Sequence, residues 1–127
     1  MAYIDLLTRI KNAQMAKKES LKVPFSNNDM VVAELLEKRG FVKGVEKKGR
    51  MPKRVIYIKL KYKDGAGFIN GIKFFSKPSR RLYSGYHHLK NSKHGYGTGV
   101  ISTPKGIMTT YEARQQKVGG ELLFEIW

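Results

Sequence analysis

The sequence has no cysteine and few acidic residues for its length of 127 residues. Without cysteine there is no disulfide framework, no thiolate metal site and no cysteine nucleophile. No apolar run is long enough to span a bilayer, and the first residues do not resemble a signal peptide. These absences favour a cytosolic protein with no membrane partner, and we expect no metal and no cofactor.

Negative charge is scarcest in the second half, where no Asp or Glu occurs between Gly65 and Tyr111. The whole chain has 25 Lys and Arg against 10 Asp and Glu, a net charge of +15. Such a field attracts polyanions, so nucleic acid is the expected partner. Aromatic residues are interleaved with the cations, and exposed rings stack on unpaired bases. Charge alone is also compatible with a nonspecific binder of nucleic acid or anionic surfaces.

The hydrophobic pattern predicts an α+β fold in two lobes. Residues 1–64 are expected to form an N-terminal α/β lobe, with helices over Ile4–Ala16 and between Ser26 and Gly40. The strands beside these two helices are predicted at Leu21–Pro24, Phe41–Glu46 and Val55–Tyr62. Two helices packed on a small sheet follow from this order.

Asp64–Gly67 is the best candidate for a linker, and residues 65–127 are expected to form a β-rich C-terminal lobe with one helix. The helix is predicted to begin at Thr109 or Thr110 and to stop at Gly119. The strands of this C-terminal lobe are predicted at Ile72–Phe75, Leu82–Tyr86, Val100–Ile101, Ile107–Met108 and Glu121–Trp127. Between Tyr86 and Gly99 a loop is expected, with one helical turn near His88.

A small polar turn, Ser102–Gly106, lies between two of these strands. It presents two hydroxyls, a cation and backbone groups, which suit a phosphate, a ribose or the edge of an unpaired base. On local pattern alone a hairpin tip without a partner is the favoured interpretation, because such turns are common. The charged face of the first helix is similarly open to two interpretations, phosphate binding or simple solvation.

The histidines are the only residues that suggest catalysis. A ribonuclease that uses His87 or His88 with a lysine is physically possible. Adjacent histidines diverge on a helix and alternate on a strand, so they make no ready chelate pair. Surface histidines without a catalytic role are the simpler interpretation, and no enzyme activity is predicted.

Three linked motifs give the sequence a specific resemblance. They are Ser-Thr-Pro-Lys-Gly-Ile-Met-Thr from Ser102, Glu-Ala-Arg from Glu112 and Val-Gly-Gly-Glu-Leu-Leu from Val118. With these, the runs Leu7–Ala13 and Ser76–Tyr83 resemble the small-subunit ribosomal protein S8 family of bacterial type. The match covers nearly the whole chain.

The resemblance implies a primary binding protein of the small (30S) ribosomal subunit. Its partners would be the central domain of 16S rRNA and neighbouring small-subunit proteins, and it would help to assemble the 30S platform. Some members of the family also bind their own messenger RNA. The resemblance implies RNA contacts from Thr8, Arg9, Lys11, Asn12, Arg80, Arg81, Tyr83, Ser102, Thr103, Lys105, Gly106, Gly119, Gly120 and Glu121.

Two positions depart from the family pattern. Pro104 stands where the family commonly has Ser, so one hydroxyl and one backbone N–H are missing from the contact loop. The segment from Tyr86 to Gly99 has His and Lys where the family has a more apolar run. No contact is carried over to either place.

Overall fold

The computed structural model describes residues 2–50, 52–88 and 97–127. They belong to two compact units, Met1–Ile69 and Asn70–Trp127. Each unit has five strands among the described residues, and the second has one α-helix where the first has two, which confirms the predicted α+β class. No helix in this described part of the chain has the length and apolar character needed to cross a membrane.

The first unit has two helices, α1 (Ala2–Met15) and α2 (Asn27–Lys38), and a three-stranded antiparallel sheet of β1 (Ser20–Pro24), β2 (Val42–Lys48) and β3 (Val55–Leu60). The strand order is β1-β3-β2, so β1 is an edge strand. Ile56, Ile58 and Leu60 of β3 are buried, whereas the alternate residue Lys59 is exposed. One face of the sheet therefore packs on the helices and the other meets solvent.

The ends of α2 confirm the boundaries predicted from sequence. The Ser26 side chain accepts a hydrogen bond of 3.1 Å from the Asp29 backbone N–H. At the other end Gly40 has a φ of +85°, and the Phe41 N–H donates to the Leu36 carbonyl at 2.9 Å. This left-handed glycine with its backward hydrogen bond satisfies carbonyls that the helix leaves free.

Asp64–Gly67 forms a hairpin where the sequence predicted a linker. The strands β4 (Tyr62–Lys63) and β5 (Ala66–Gly67) pair across a two-residue turn. The φ angles of Asp64 and Gly65 are +54° and +79°, as a type I′ turn requires. The Gln14 amide then holds Ile69, donating to its carbonyl at 2.8 Å and accepting from its N–H at 3.1 Å. These bonds explain why the first unit extends five residues beyond Asp64.

The second unit is organised around its last strand, β10 (Gly120–Ile126). Its other elements are β6 (Ile72–Phe74), β7 (Tyr83–Ser84), a 3₁₀ turn (Tyr86–His88), β8 (Thr98–Thr103), β9 (Gly106–Thr109) and α3 (Thr110–Gln116). The sheet order is β6-β10-β8-β9, and the short β7 pairs with the first residues of β10, on the edge where β6 pairs with its last residues. Strand β7 is shorter than predicted because Tyr86 already begins a 3₁₀ turn, the turn expected near His88. Most of the predicted loop between Tyr86 and Gly99, residues 89–96, lies outside the described residues.

Helix α3 begins with a reciprocal capping box. The Thr109 hydroxyl accepts from the Glu112 N–H at 3.1 Å, and the Glu112 carboxylate accepts from the Thr109 N–H at 3.4 Å. The helix ends earlier than predicted, because Lys117 adopts a left-handed φ of +58°. Its apolar face packs Ala113 against Ile101 and Met108.

Asp29 makes the stability of the first unit depend on pH. It is 8% exposed, and its Oδ1 has no hydrogen-bond partner among the described residues. Burial raises the pKa of the Asp29 carboxyl, the Ser26 hydroxyl opposes that shift, and nearby Asp5 adds to it. The folded state therefore binds a proton more tightly than the unfolded state, and this contribution to stability is lost as the pH rises above the ordinary Asp pKa.

We expect the Asp29→Asn variant to gain stability relative to wild type as the pH rises. The amide carries no charge to bury, so its free energy of unfolding lacks the decline that ionisation of Asp29 causes. Urea unfolding of both proteins between about pH 3 and pH 7 measures the difference. A difference that stays constant over this range would contradict the prediction.

Candidate nucleic-acid interface

Strand register places three residues of the predicted site side by side. Glu121 of β10 is opposite Ser102 of β8 and also opposite Tyr83 of β7. Residues directly opposite each other on antiparallel strands project from the same face of a sheet. Tyr83, Glu121 and Ser102 therefore form one row across three strands.

An open concavity surrounds this row, and we call it the β7–β10–β8 concavity. It is lined by residues from the ends of β7 and β8 and from the start of β10. Tyr83 stands at its edge with 69% of its surface exposed. Six residues that the family resemblance implies thus come together in one place, namely Tyr83, Ser102, Thr103, Gly119, Gly120 and Glu121.

The tip of the β8–β9 hairpin is held by Thr103. Its hydroxyl donates to the Gly106 carbonyl at 2.8 Å and accepts from the Lys105 N–H at 3.1 Å. Thr103 itself is buried, whereas Pro104 and Lys105 are exposed. The hydroxyl thus fixes the shape of the loop, and the loop presents the cation of Lys105 to solvent.

Gly119 and Gly120 allow neighbouring backbones to approach closely. A Cβ on Gly120 would lie 2.0 Å from the Ser102 carbonyl oxygen, and one on Gly119 would lie 2.4 Å from the Ser84 carbonyl oxygen. The family resemblance implies RNA contacts at both glycines. The structure shows that both glycines also have a packing role, because a side chain at either position would prevent the strands that form the concavity from packing.

Glu121 is the only carboxylate that lines the concavity in the described part of the chain. Its Oε2 is buried and has no hydrogen-bond partner among the described residues. A carboxylate oxygen of this kind only accepts hydrogen bonds when ionised. Glu121 as a whole is half-buried and lines the concavity, so its carboxylate gives this surface an acceptor for a hydroxyl or amino group.

Ser76 is a structural residue of this site that sequence reasoning missed. It is fully buried, its hydroxyl donates to the Leu122 carbonyl at 2.5 Å, and it accepts from the Leu82 N–H at 3.0 Å. The exposed Arg80 and Arg81 lie in the loop between Ser76 and Leu82. The Ser76 hydrogen bonds therefore hold both ends of this loop against β10. No sequence signal separates this serine from the polar residues around it.

We expect Ser76→Ala to lower the free energy of unfolding by about 1–3 kcal/mol, because a buried N–H and a buried carbonyl lose their partner. Ser79→Ala is the matched control, since Ser79 is exposed in the same loop. Urea unfolding of the two variants measures the losses. Equal losses would show that the Ser76 hydrogen bonds contribute nothing to stability.

The predicted residues of α1 belong to the first unit, whereas the residues of the concavity belong to the second. Thr8, Arg9 and Asn12 are exposed, and Lys11 is half-buried. The Thr8 hydroxyl donates to the Ile4 carbonyl at 2.7 Å, and Arg9 pairs with Asp5 at 3.0 Å. Because that ion pair is exposed, it restrains Arg9 weakly and leaves it available to a phosphate.

His87 is the histidine whose side chain the structure describes. His87 is exposed and meets the Tyr86 ring edge-on, with 5.4 Å between ring centroids. Within residues 2–50, 52–88 and 97–127 no three His, Cys, Asp or Glu side chains gather where they could hold a metal ion. His94 lies outside the described residues.

Comparison with known proteins first places the chain in a class, the ribosomal proteins. Residues 3–127 match the model of the family described as Ribosomal protein S8. The chain therefore belongs to the ribosomal protein S8 family, as the sequence motifs predicted.

Similar proteins from several bacteria carry one name, small ribosomal subunit protein uS8. The protein of Mycoplasmopsis pulmonis (strain UAB CTIP) is 42% identical over 97% of this chain and 93% of its own length. That of Ruminiclostridium cellulolyticum is 42% identical over 99% of this chain and 96% of its own length. That of Erythrobacter litoralis (strain HTCC2594) is 41% identical over 97% and 94%. Because they match nearly end to end, the similarity covers both units.

Proposed function

We propose that this chain is a structural, non-catalytic protein of the small ribosomal subunit in the cytoplasm. In this proposal it is a primary rRNA-binding protein that binds the central domain of 16S rRNA and helps the 30S platform to assemble. The observation that carries the proposal is the β7–β10–β8 concavity, which gathers an exposed ring, a hydroxyl and a carboxylate beside basic loops. Family membership supports the ribosomal part.

The chemistry of the concavity suits RNA whose bases are out of regular pairing. A-form helices hide base edges in a deep groove, so sequence-specific recognition uses unpaired or distorted segments. In the bound state Tyr83 would stack on such a base. Ser102 and Glu121 would hydrogen-bond to ribose or to a base edge.

Cations around the concavity supply the affinity for the RNA backbone. Lys105 is exposed at the tip of the β8–β9 hairpin, and Arg80 and Arg81 are exposed in the loop before β7. Contacts of this kind fix the register of the protein on RNA without reading its sequence. A second segment of rRNA would contact the exposed face of α1 through Thr8, Arg9, Lys11 and Asn12.

The same recognition extends to other RNAs of equivalent shape. A messenger that folds into a similar irregular helix would present the same unpaired bases to the concavity. We therefore include the protein's own messenger RNA among its proposed partners, with neighbouring small-subunit proteins as the remaining ones.

The proposal is tested by binding to a central-domain rRNA fragment and to a scrambled RNA of equal length across a salt series. An interface of about six phosphate contacts loses roughly a thousandfold in affinity between ~50 and ~200 mM salt, whatever the sequence. We expect the rRNA fragment to keep a large advantage at every salt concentration. Two curves that fall together would instead indicate a nonspecific binder, and cleavage of the RNA during incubation would indicate a nuclease.

A further inference from the structure

The sheet of the first unit has a face that neither α1 nor α2 covers. Both helices pack on the side of Ile56 and Ile58, which are fully buried. The opposite side carries Tyr57 and Lys59 of the central strand β3. It is therefore a different surface from the polar face of α1.

The uncovered face is basic. In register, Lys22 of β1 lies beside Tyr57, and Ser20 lies beside Lys59. Lys22, Lys43 and Lys59 are all exposed. The one ion pair found on this face of the described structure joins Lys48 to Glu46 at 3.6 Å, and it is exposed to solvent. Several cations thus remain available for an anionic partner.

The face is also concave, and aromatic rings line it. A hollow on it is lined by Lys43, Lys59, Tyr57 and Tyr62, and Glu19 is the one carboxylate of its described lining. The Tyr62 hydroxyl donates to the Lys18 carbonyl at 2.6 Å and the Lys17 ammonium lies 5.9 Å from the centroid of its ring, so Tyr62 is already engaged. The Lys48 ammonium lies 4.3 Å from the centroid of the half-buried Tyr57 ring. Lys48 is exposed, so a base could displace it from the ring toward a phosphate.

We propose that this face, from Lys22 across Tyr57 and Lys59 to Lys43, is a second RNA-binding surface for a single-stranded or irregular segment of rRNA. Lysines follow the phosphates and a tyrosine on the central strand supports a base, which is the combination that single-stranded nucleic acid requires. An acidic protein segment would match the charge and leave the rings without a role. The inference rests on the proposed function for its RNA partner and adds a surface outside the concavity and α1.

The test compares two variants, each with two lysines removed. Lys43→Ala with Lys59→Ala removes charge from the hollow, and Lys38→Ala with Lys53→Ala removes the same charge from exposed positions outside it. Binding to full-length 16S rRNA is measured across a salt series. If each lysine of the hollow contacts a phosphate, the first variant reduces the slope of log K against log salt by about 1.4–1.8. The second variant is expected to leave the slope close to that of wild type.

The Tyr57 ring is tested separately. Tyr57→Leu is expected to weaken binding to 16S rRNA roughly tenfold, and Tyr57→Phe to preserve it, because a stacked base needs a ring and not a hydroxyl. Urea unfolding of each variant shows whether the sheet is intact. If Tyr57→Leu unfolds more easily, weaker binding could come from the damaged sheet. The slopes measured with the lysine pair, whose side chains are exposed, then test the second surface.

Failure of this inference is distinguishable from failure of the proposed function. Equal effects of the two lysine pairs, or a hollow variant that binds 16S rRNA like wild type, would overturn the second surface and favour a protein partner for it. The preference for the central-domain fragment over scrambled RNA would survive that result. Loss of that preference in wild-type protein would overturn the proposed function instead.

Discussion

Replacement of Gly120 by Ala is expected to lower the free energy of unfolding by about 2–4 kcal/mol. The added Cβ would lie 2.0 Å from the Ser102 carbonyl oxygen and 2.9 Å from the Ser102 carbonyl carbon. These are backbone atoms of the paired strand, so no flexible side chain can move aside. Strands β8 and β10 must separate locally, which breaks sheet hydrogen bonds and deforms the concavity between them.

Gly106→Ala is the control, from the neighbouring β8–β9 hairpin. A Cβ there meets no atom within 4 Å, although the φ of +116° strains any L-residue. Its expected loss is smaller, about 1 kcal/mol, because only the backbone conformation is affected. Urea unfolding measures both variants. If Gly120→Ala costs no more than Gly106→Ala, the close approach of β8 and β10 is not what requires a glycine.

Tyr83→Ala is expected to reduce affinity for the central-domain rRNA fragment by about 1–3 kcal/mol without a change in stability. The magnitude is that of one base stacked on an aromatic ring. Stability should not change because Tyr83 is 69% exposed and contributes little to the core. Binding is measured at a fixed salt concentration, and unfolding is measured in the same buffer.

Tyr111→Ala is the matched control for Tyr83, since Tyr111 is also 69% exposed but lies on α3, away from the concavity. Its affinity for the fragment should stay close to wild type. Tyr83→Phe should bind nearly normally if stacking is the main contribution, and weakly if the hydroxyl is. Similar losses in Tyr83→Ala and Tyr111→Ala would contradict the placement of the RNA in the concavity.

Local signals in the sequence predicted the elements well, because each has a short-range physical cause. Ser26 caps the N-terminus of α2 and Gly40 follows its C-terminus, as capping chemistry requires, and Thr109 caps the N-terminus of α3. Local signals could not predict the structure where one residue pair is typical of two different structures. Asp64-Gly65 is typical of a linker and equally of a type I′ turn, and only the pairing of Lys63 with Ala66 distinguishes them.

The site was harder to predict than the elements, since it depends on which strands are neighbours. Motifs identified Tyr83, Ser102 and Glu121 separately, but only the order β7-β10-β8 and its register place them in one row. The packing role of Gly120 and the burial of Ser76 also depend on contacts distant along the chain. A single sequence carries no local signal for such contacts.

The position of β10 at the centre of its sheet has a consequence for biosynthesis. Strands β6, β7 and β8 all pair with this segment, which follows them in chain order. During translation they emerge before the strand that joins them, and the concavity cannot exist until Gly120 and Glu121 have been added. Nascent chains interrupted before that point would therefore lack the surface that we propose binds rRNA, and under that proposal unfinished copies would not compete with complete ones for its target on a growing ribosomal particle.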